Sequence, residues 1–392
     1  MRIVYFDFTN NFGGAPQSML YLAQCLAREH EVQVIDVYGR CQAYHATLRA
    51  AGLPCRVLLP EARWLFIGQK GLRRLWAFAR QLPELLRLGV RAGRAIRDVD
   101  PDVIWVMNEK SLTVLSLNPL LCRYPIALLV RGWGTPNQVS PWLRWLMRHR
   151  AAAVVAVSTA TQEQLRAAGV PAAKLHLGSS AVDAERLLRA SREPLNVELP
   201  GRDRTPRILV IAARPERNKG HTTAVRAVAR LKRAGYDPVL WVPGTPGVGA
   251  DGSHIGELQR LAAESGVEGN MFFLGWIGNM AALIRECDIA ILPSRTEGLP
   301  RAVLEAMVVG KPVVATPVGG TCDCITDGRT GFLVPVDDDA ALADRLLHLM
   351  QHPTEAQEMV ARAQQHVRDN FDPGRYTRRI TGIFASVART RG

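Results

Sequence analysis

Glu297 and Glu305 stand on either side of Pro300 in the stretch Pro293-Ser294-Arg295-Thr296-Glu297-Gly298-Leu299-Pro300-Arg301-Ala302-Val303-Leu304-Glu305-Ala306-Met307. Pro300 suits a first helical position, and Val303, Ala306, Met307 and Gly310 then recur at helical spacing. Glu297 therefore falls in a loop and Glu305 in the second turn of a helix. Helical side chains lean back toward the N-terminus, so Glu305 can reach what sits at the helix mouth. That mouth attracts anions, whereas carboxylates repel phosphate. The two glutamates would hold hydroxyls, leaving the phosphate to backbone N–H groups and a nearby cation. A polyhydroxylated group joined to a phosphate fits this chemistry; taken alone, the same residues also fit a surface helix and a loop charge.

The cations lie earlier, in Ala213-Arg214-Pro215-Glu216-Arg217-Asn218-Lys219-Gly220. Arg214 offers a rigid fork and Lys219 a compact charge, a suitable pair for a diphosphate. Taken singly they would be solvated loop residues, so their value depends on which elements place them.

Those elements alternate. Apolar runs at 288–292 and 312–316 flank the glutamate stretch and make it a βαβ crossover in a parallel sheet. Further strands are expected at 207–212, 239–242 and 271–276, with helices at 221–234 and 256–265. Arg214 and Lys219 thus follow a strand, as do Glu297, the Gly244 loop and Gly319-Gly320. Ligands of open parallel sheets bind beyond the carboxyl ends of the strands, so these residues share one rim. The first half repeats the theme, with strands at 2–8, 32–37, 102–107, 125–130 and 152–157 and a helix at 15–29. Asn10-Asn11-Phe12-Gly13-Gly14, Asn108-Glu109, Arg131-Gly132-Trp133-Gly134 and Ser158-Thr159 follow its strands. Pro194, Pro200-Gly201 and Pro206 mark a linker over 192–206. A chain of 392 residues accommodates two such domains.

Composition is that of a globular protein, 47% hydrophobic and 22% charged. The formal charge of +13 is lopsided: 25 basic and 15 acidic residues put +10 in positions 1–199, leaving +3 for the rest. Such asymmetry points the first half toward an anionic partner, whether lipid headgroups, a phosphorylated substrate or nucleic acid. No nucleic-acid module accompanies it, so nucleic acid is not the expected partner. Residues 62–98 form a basic, aromatic-studded helical segment in which Trp64, Phe66, Leu72, Leu75, Trp76 and Phe78 alternate with Arg63, Lys70, Arg73, Arg74 and Arg80. Trp142-Leu143-Arg144-Trp145-Leu146-Met147-Arg148 is a second such stretch. Both suit an anionic bilayer interface, and both also suit solvated helices covering a sheet. Arg2-Ile3-Val4-Tyr5-Phe6 meets Asp7 too soon for a secretory leader. Apolar runs such as 151–157 fall far short of the roughly 20 residues needed to span a bilayer. Seven cysteines without framework spacing suit a reducing cytosol, and Cys322-x-Cys324, lacking a second pair, reads as packing rather than a metal site.

Glu297 to Glu305 is also an E-x7-E pattern. Together with Arg214 and Lys219-Gly220, the Gly13-Gly14 loop, Gly275-Trp276, Pro293-Ser294-Arg295 and Gly310-Lys311-Pro312-Val313-Val314-Ala315, it makes the chain resemble the retaining glycosyltransferases of family 4. The likeness spans nearly the whole length and is strongest over 207–336. It implies the GT-B architecture: two Rossmann-like, doubly wound parallel-sheet domains facing across a cleft. Residues 1–195 would bind the acceptor and 196–370 the nucleotide sugar, while 371–392 would carry a helix, at 375–387, back to the first domain. Arg214 and Lys219 would hold the donor diphosphate, helped by Gly298 and the N–H groups near Leu299 and Arg301. Glu305 would bind ribose hydroxyls, and Glu297 the donor sugar beside its anomeric carbon. The base would lie near Trp276, Ile277 and the Gly244 loop. Gly13 and Gly14 would admit the phosphates, and Asn108 and Arg131 would face the acceptor.

The implied partners are a nucleoside-diphosphate sugar, a saccharide or lipid-linked acceptor, and an anionic membrane on the cytoplasmic inner face. The resemblance implies no cofactor and no metal. Three departures from the family pattern occur: Arg131-Gly132-Trp133-Gly134 lacks a frequent histidine, Ser180-Ala181 replaces Asn-Gly before Val182-Asp183, and Ala212-Ala213 replaces glycines before Arg214. The first bears on sugar specificity. A catalytically silent scaffold and a nucleotide-sugar epimerase of the same fold are the alternatives.

Overall fold

The computed structural model describes residues 1–9, 14–61, 72–132, 139–211, 214–245 and 253–389. They form two compact units. Seven parallel strands build the first sheet: β1 (Arg2–Asp7), β2 (Glu31–Asp36), β3 (Cys55–Val57), β4 (Val103–Val106), β5 (Ile126–Val130), β6 (Ala151–Ala156) and β7 (Leu175–Leu177). Their spatial order is β3-β2-β1-β4-β5-β6-β7, and every pairing is parallel. β1 shows why its sequence is a near-unbroken apolar run. Val4 and Phe6 enter the core on one face with Leu88, Leu112 and Leu146. Ile3 and Tyr5 enter the other with Leu22 and Leu26. A strand covered on both faces has no polar side to show.

The second unit holds β8 (Arg207–Val210), β9 (Val239–Pro243), β10 (Met271–Gly275), β11 (Ile289–Leu292), β12 (Val313–Ala315) and β13 (Phe332–Leu333). Its order is β10-β9-β8-β11-β12-β13, again all parallel. Both sheets reverse winding direction beside their first strand, between β1 and β4 and between β8 and β11. These are the switch points where the loops on the carboxyl side splay apart and leave room for a ligand.

Residues 179–195 pack with the second unit. Unit one comprises Met1–Val157, Thr161–Gly178 and Gly374–Gly392, and unit two Ser158–Ala160 and Ser179–Pro373. The reason lies in the helix Ala184–Arg192, which packs against the helices Met280–Glu286 and Arg301–Val309 of the second unit. Just ahead of it, Val182 N–H donates to the Phe371 carbonyl at 3.0 Å. The helix Pro373–Val387 belongs to the first unit for most of its length. Ile380 and Phe384 are buried there, and the Phe384 ring lies 6.1 Å from that of Trp105. No helix among the described residues is long and apolar enough to cross a membrane.

Candidate functional site

In the second unit the sequence loops after β8 and after β11 meet at the switch point. Lys219 closes a short 3-10 turn, Arg217–Lys219, and the helix His221–Arg233 follows through Gly220. Gly220 adopts a left-handed φ of +71°, and a Cβ there would lie 1.7 Å from the Pro293 carbonyl oxygen, so only glycine lets the two loops touch. The Arg295 N–H donates to the Asn218 carbonyl at 2.8 Å across the same seam. Lys219 Nζ consequently reaches Glu297 Oε1 at 2.8 Å, with side chains 21% and 12% exposed.

Gly319 and Gly320, beyond β12, close the far side. A Cβ on Gly319 (φ +54°) would stand 1.8 Å from the Glu297 carbonyl oxygen, and Gly320 N–H donates to the Gly298 carbonyl at 2.7 Å. Glu297 and Gly298 are thus gripped from both neighbouring loops. The helix Arg301–Val309 opens right after them, with Pro300 as its N-cap rather than its first residue. Pro300 has no side-chain hydrogen bond to offer the first turn, so N–H groups of that turn stay available for an anion. Glu305 does sit in the second turn. Arg301 Nη2 stands 3.6 Å from its carboxylate. Burial pushes the Glu305 carboxyl above its ordinary range, and Arg301 opposes the shift. Arg214 stands 3.6 Å from Glu216 and is half exposed.

Lys219 and Glu297 are therefore brought into contact, while Arg214, on the loop after β8, pairs with Glu216, and Glu305, on the helix Arg301–Val309, pairs with Arg301. Trp276 is 67% exposed at the carboxyl end of β10, but Ile277 is 4% exposed and packs into the core. The Ile277 side chain therefore belongs to the core. Gly244 N–H donates to the Gly275 carbonyl at 2.6 Å, tying the loops after β9 and β10 together. Next to Lys219, His221 is 1% exposed, and burial, reinforced by the neighbouring His254 ring, lowers its pKa to about 4. Cys324 is buried and Cys322 exposed.

The switch point of the first unit is polar in a different way. Asn108 is the N-cap of the helix Glu109–Ser116, its oxygen accepting from Ser111 N–H, and its Nδ2 donates to Asp7 Oδ1 at 2.7 Å. Asp7, 7% exposed, also accepts from the Tyr5 hydroxyl at 2.7 Å and the Thr9 hydroxyl at 2.9 Å. Arg131, at the end of β5, is close enough for its charge to be felt at the Tyr5 hydroxyl. Asp7 was not among the residues singled out above; its only sequence signal is a charge closing an apolar strand. Gly14 begins the helix Gly14–Leu26. Gly13, Trp133-Gly134, Ala212-Ala213 and residues 62–71 lie outside the described residues.

Comparisons with known proteins agree with this build. Residues 12–186 match the family described as Glycosyltransferase Family 4, and residues 196–366 match Glycosyl transferases group 1. The 2-deoxystreptamine glucosyltransferase of Streptomyces kanamyceticus is 27% identical over 81% of this chain and 83% of its own length. The putative colanic acid biosynthesis glycosyltransferase WcaL of Escherichia coli is 29% identical over 64% of this chain and 60% of its own. Among solved structures, Anabaena Alr3699/HepE in complex with UDP superimposes with a TM-score of 0.80 at 20% identity, covering 98% of this chain and all of that one. The chain belongs with the GT-B glycosyltransferases. Its two Rossmann-like units are those of the GT-B fold, and glycosyl transfer is its activity class.

Proposed function

We propose that the second unit binds a nucleoside-diphosphate sugar, a UDP-hexose or UDP-N-acetylhexosamine, and that the enzyme passes the sugar with retention to a saccharide or lipid-linked acceptor in cell-surface polysaccharide or glycolipid synthesis. The observation that carries this reading is the Lys219–Glu297 pair at the switch point, set before the open first turn of the helix Arg301–Val309. A cation and helix N–H groups suit a diphosphate, and Glu297 and Glu305 suit hydroxyls. The Alr3699/HepE structures with UDP and with UDP-glucose support the donor class by analogy.

In this reading Arg214, Lys219 and the N–H groups near Leu299 and Arg301 meet the charge that develops on the leaving diphosphate, so the protein itself supplies what a metal would. The bond from the anomeric carbon to the phosphate oxygen breaks as the acceptor oxygen bonds to the same face. The acceptor's proton passes to the departing phosphate oxygen. Glu297 holds the sugar beside the anomeric carbon, Glu305 the ribose, and Trp276 the base. The polar switch point of the first unit, with Asn108 and Arg131, faces the acceptor. A transfer assay on Glu297→Ala and Arg214→Ala tests the site: both should lose turnover, and unchanged turnover in both removes it. Nucleotide release that requires acceptor separates transfer from epimerisation and from a silent scaffold.

The same reading gives the first unit an anionic membrane surface as partner, with the protein peripheral on the cytoplasmic inner face. In the helix Leu72–Val99, Leu88, Ala92 and Ile96 enter the core, yet Leu82, Leu86 and Val90 form an exposed apolar row. In the helix Pro141–His149, Trp142 and Trp145 are exposed and stacked with ring centroids 5.3 Å apart. Exposed Leu117 and Leu120 belong to the segments packed beside these helices. Exposed Arg87, Arg91 and Arg148 accompany the apolar rows, which is the mixture a headgroup layer accepts. Liposomes with anionic lipid should float the protein at low salt; failure to float with them would dismiss the surface.

A further inference from the structure

Asp337 stands out in the second unit because its backbone is left-handed, with φ +62°, a conformation that favours glycine. Its carboxylate is the reason to tolerate it. Arg295 Nε donates to both Asp337 oxygens at 2.9 Å, and the Thr223 hydroxyl donates to Oδ1 at 3.4 Å. Arg295 belongs to the loop after β11, two residues before Glu297. Thr223 lies in the first turn of the helix His221–Arg233, just after Lys219. The Asp337 carboxylate therefore joins three segments: the turn before the helix Asp339–Gln351, the loop after β11, and the helix that follows the Lys219 loop.

Held in this way, Arg295 presents its backbone N–H to the Asn218 carbonyl at 2.8 Å and its Nη1 toward the Arg217 carbonyl at 3.5 Å. The turn is closed from within by Lys219 N–H donating to the Glu216 carbonyl at 2.9 Å. Arg217 is drawn outward to Glu257. The cation that reaches Glu297 is thus carried on a turn whose carbonyls are pinned by Arg295. Arg295 is itself half exposed and has a flexible stem, and its guanidinium is paired with Asp337.

We propose that Asp337 is a positioning residue for donor binding: through Arg295 it fixes the Arg217–Lys219 turn so that Lys219 and Glu297 meet the donor as one preformed pair. This rests on the donor-site reading above, and it assigns Asp337 no contact with the donor. An electrostatic effect of opposite sign accompanies it, because a carboxylate near a diphosphate site disfavours the diphosphate. A useful test has to cancel that effect.

Asp337→Gly and Asp337→Asn remove the same charge, and both residues accept a left-handed φ. Asn keeps an acceptor for Arg295 and Gly keeps none. UDP titrated calorimetrically into the full chain at fixed ionic strength should bind Asp337→Asn within about threefold of the unaltered protein, and Asp337→Gly about tenfold more weakly than Asp337→Asn. Both variants should remain folded at the titration temperature, which their ligand-free melting curves check. Amide exchange over 214–220 should be faster in Asp337→Gly alone. Equal UDP affinities in the two variants would overturn the role of Asp337. Failure of the unaltered protein to bind UDP, GDP or ADP would instead overturn the donor site beneath it.

Discussion

Gly319→Ala adds one methyl group and tests whether the carbonyl of Glu297 is held as tightly as the packing indicates. The new Cβ would begin 1.8 Å from that oxygen. Carbon rarely comes nearer to a backbone oxygen than about 3 Å, so the Glu297 backbone has to retreat by more than about 1 Å. The left-handed φ of +54° adds a conformational cost of about 1–2 kcal/mol. Gly235→Ala isolates this second effect, because Gly235 is also left-handed, at +89°, and a Cβ there meets nothing within 4 Å. Gly235→Ala should lose about 1–2 kcal/mol of stability in urea and keep its activity. Gly319→Ala should lose more stability, and its transfer rate or donor affinity should fall by about a hundredfold, the usual consequence of a 1 Å displacement at a reacting centre. Chemical denaturation, UDP-sugar titration and nucleotide release are measured on both. Equal stability losses with donor affinity and activity intact in Gly319→Ala would refute the claim that this glycine sets the position of Glu297.

Lys219→Met removes the cation but keeps the length of the stem, and donor affinity should drop between about tenfold and a hundredfold, the value of a charge-assisted hydrogen bond; an unchanged dissociation constant for UDP would remove Lys219 from the site. His221, lowered to about 4 and buried, is neutral in the folded protein where the unfolded chain already binds a proton. Stability should therefore fall as pH drops through the window from about 6.5 to about 4, with a loss of about 2 kcal/mol between pH 7 and 5. Urea midpoints at the two pH values should differ less in His221→Leu, and identical pH dependence in variant and parent would contradict the assignment. The Glu305 carboxyl is raised by burial, so its ionised form is lost on acidification sooner than for an ordinary glutamate. UDP-sugar affinity should weaken correspondingly, and Glu305→Gln should abolish that acid dependence; an unaltered profile in the variant would argue against a ribose contact.

Strand and helix alternation, the two-domain length and the E-x7-E stretch are local properties, so they were readable without coordinates. β4, β5, β6, β8 and β11 are buried on both sides and announce themselves as apolar runs. The edge strands β3 and β7 span three residues each and carry no such run. Their place comes from pairing with the neighbour strand, which no window of sequence contains. The same is true of the boundary at 178/179: the Pro-rich stretch at 192–206 is a linker in composition, but the helix Ala184–Arg192 chooses its side by packing.

The candidate site divides along the same line. Residue type and loop position select Arg214, Lys219, Glu297 and Glu305, because charges after apolar strands in a parallel sheet must emerge at the carboxyl rim. Which of them touch is decided by strand order. β8 and β11 are neighbours, although the sequence separates them by β9 and β10, and so Lys219 meets Glu297. Ile277 shows the converse, since an apolar residue beside an exposed tryptophan looks like ligand surface until the core claims it. Asp337 lies beyond sequence reasoning altogether: nothing around it signals a left-handed backbone or a salt bridge to Arg295. Sequence thus determined the chemistry available at the rim, through short-range pattern and residue type. Tertiary structure decided which groups share a site, because contact between distant segments depends on sheet order and on glycines that let backbones approach.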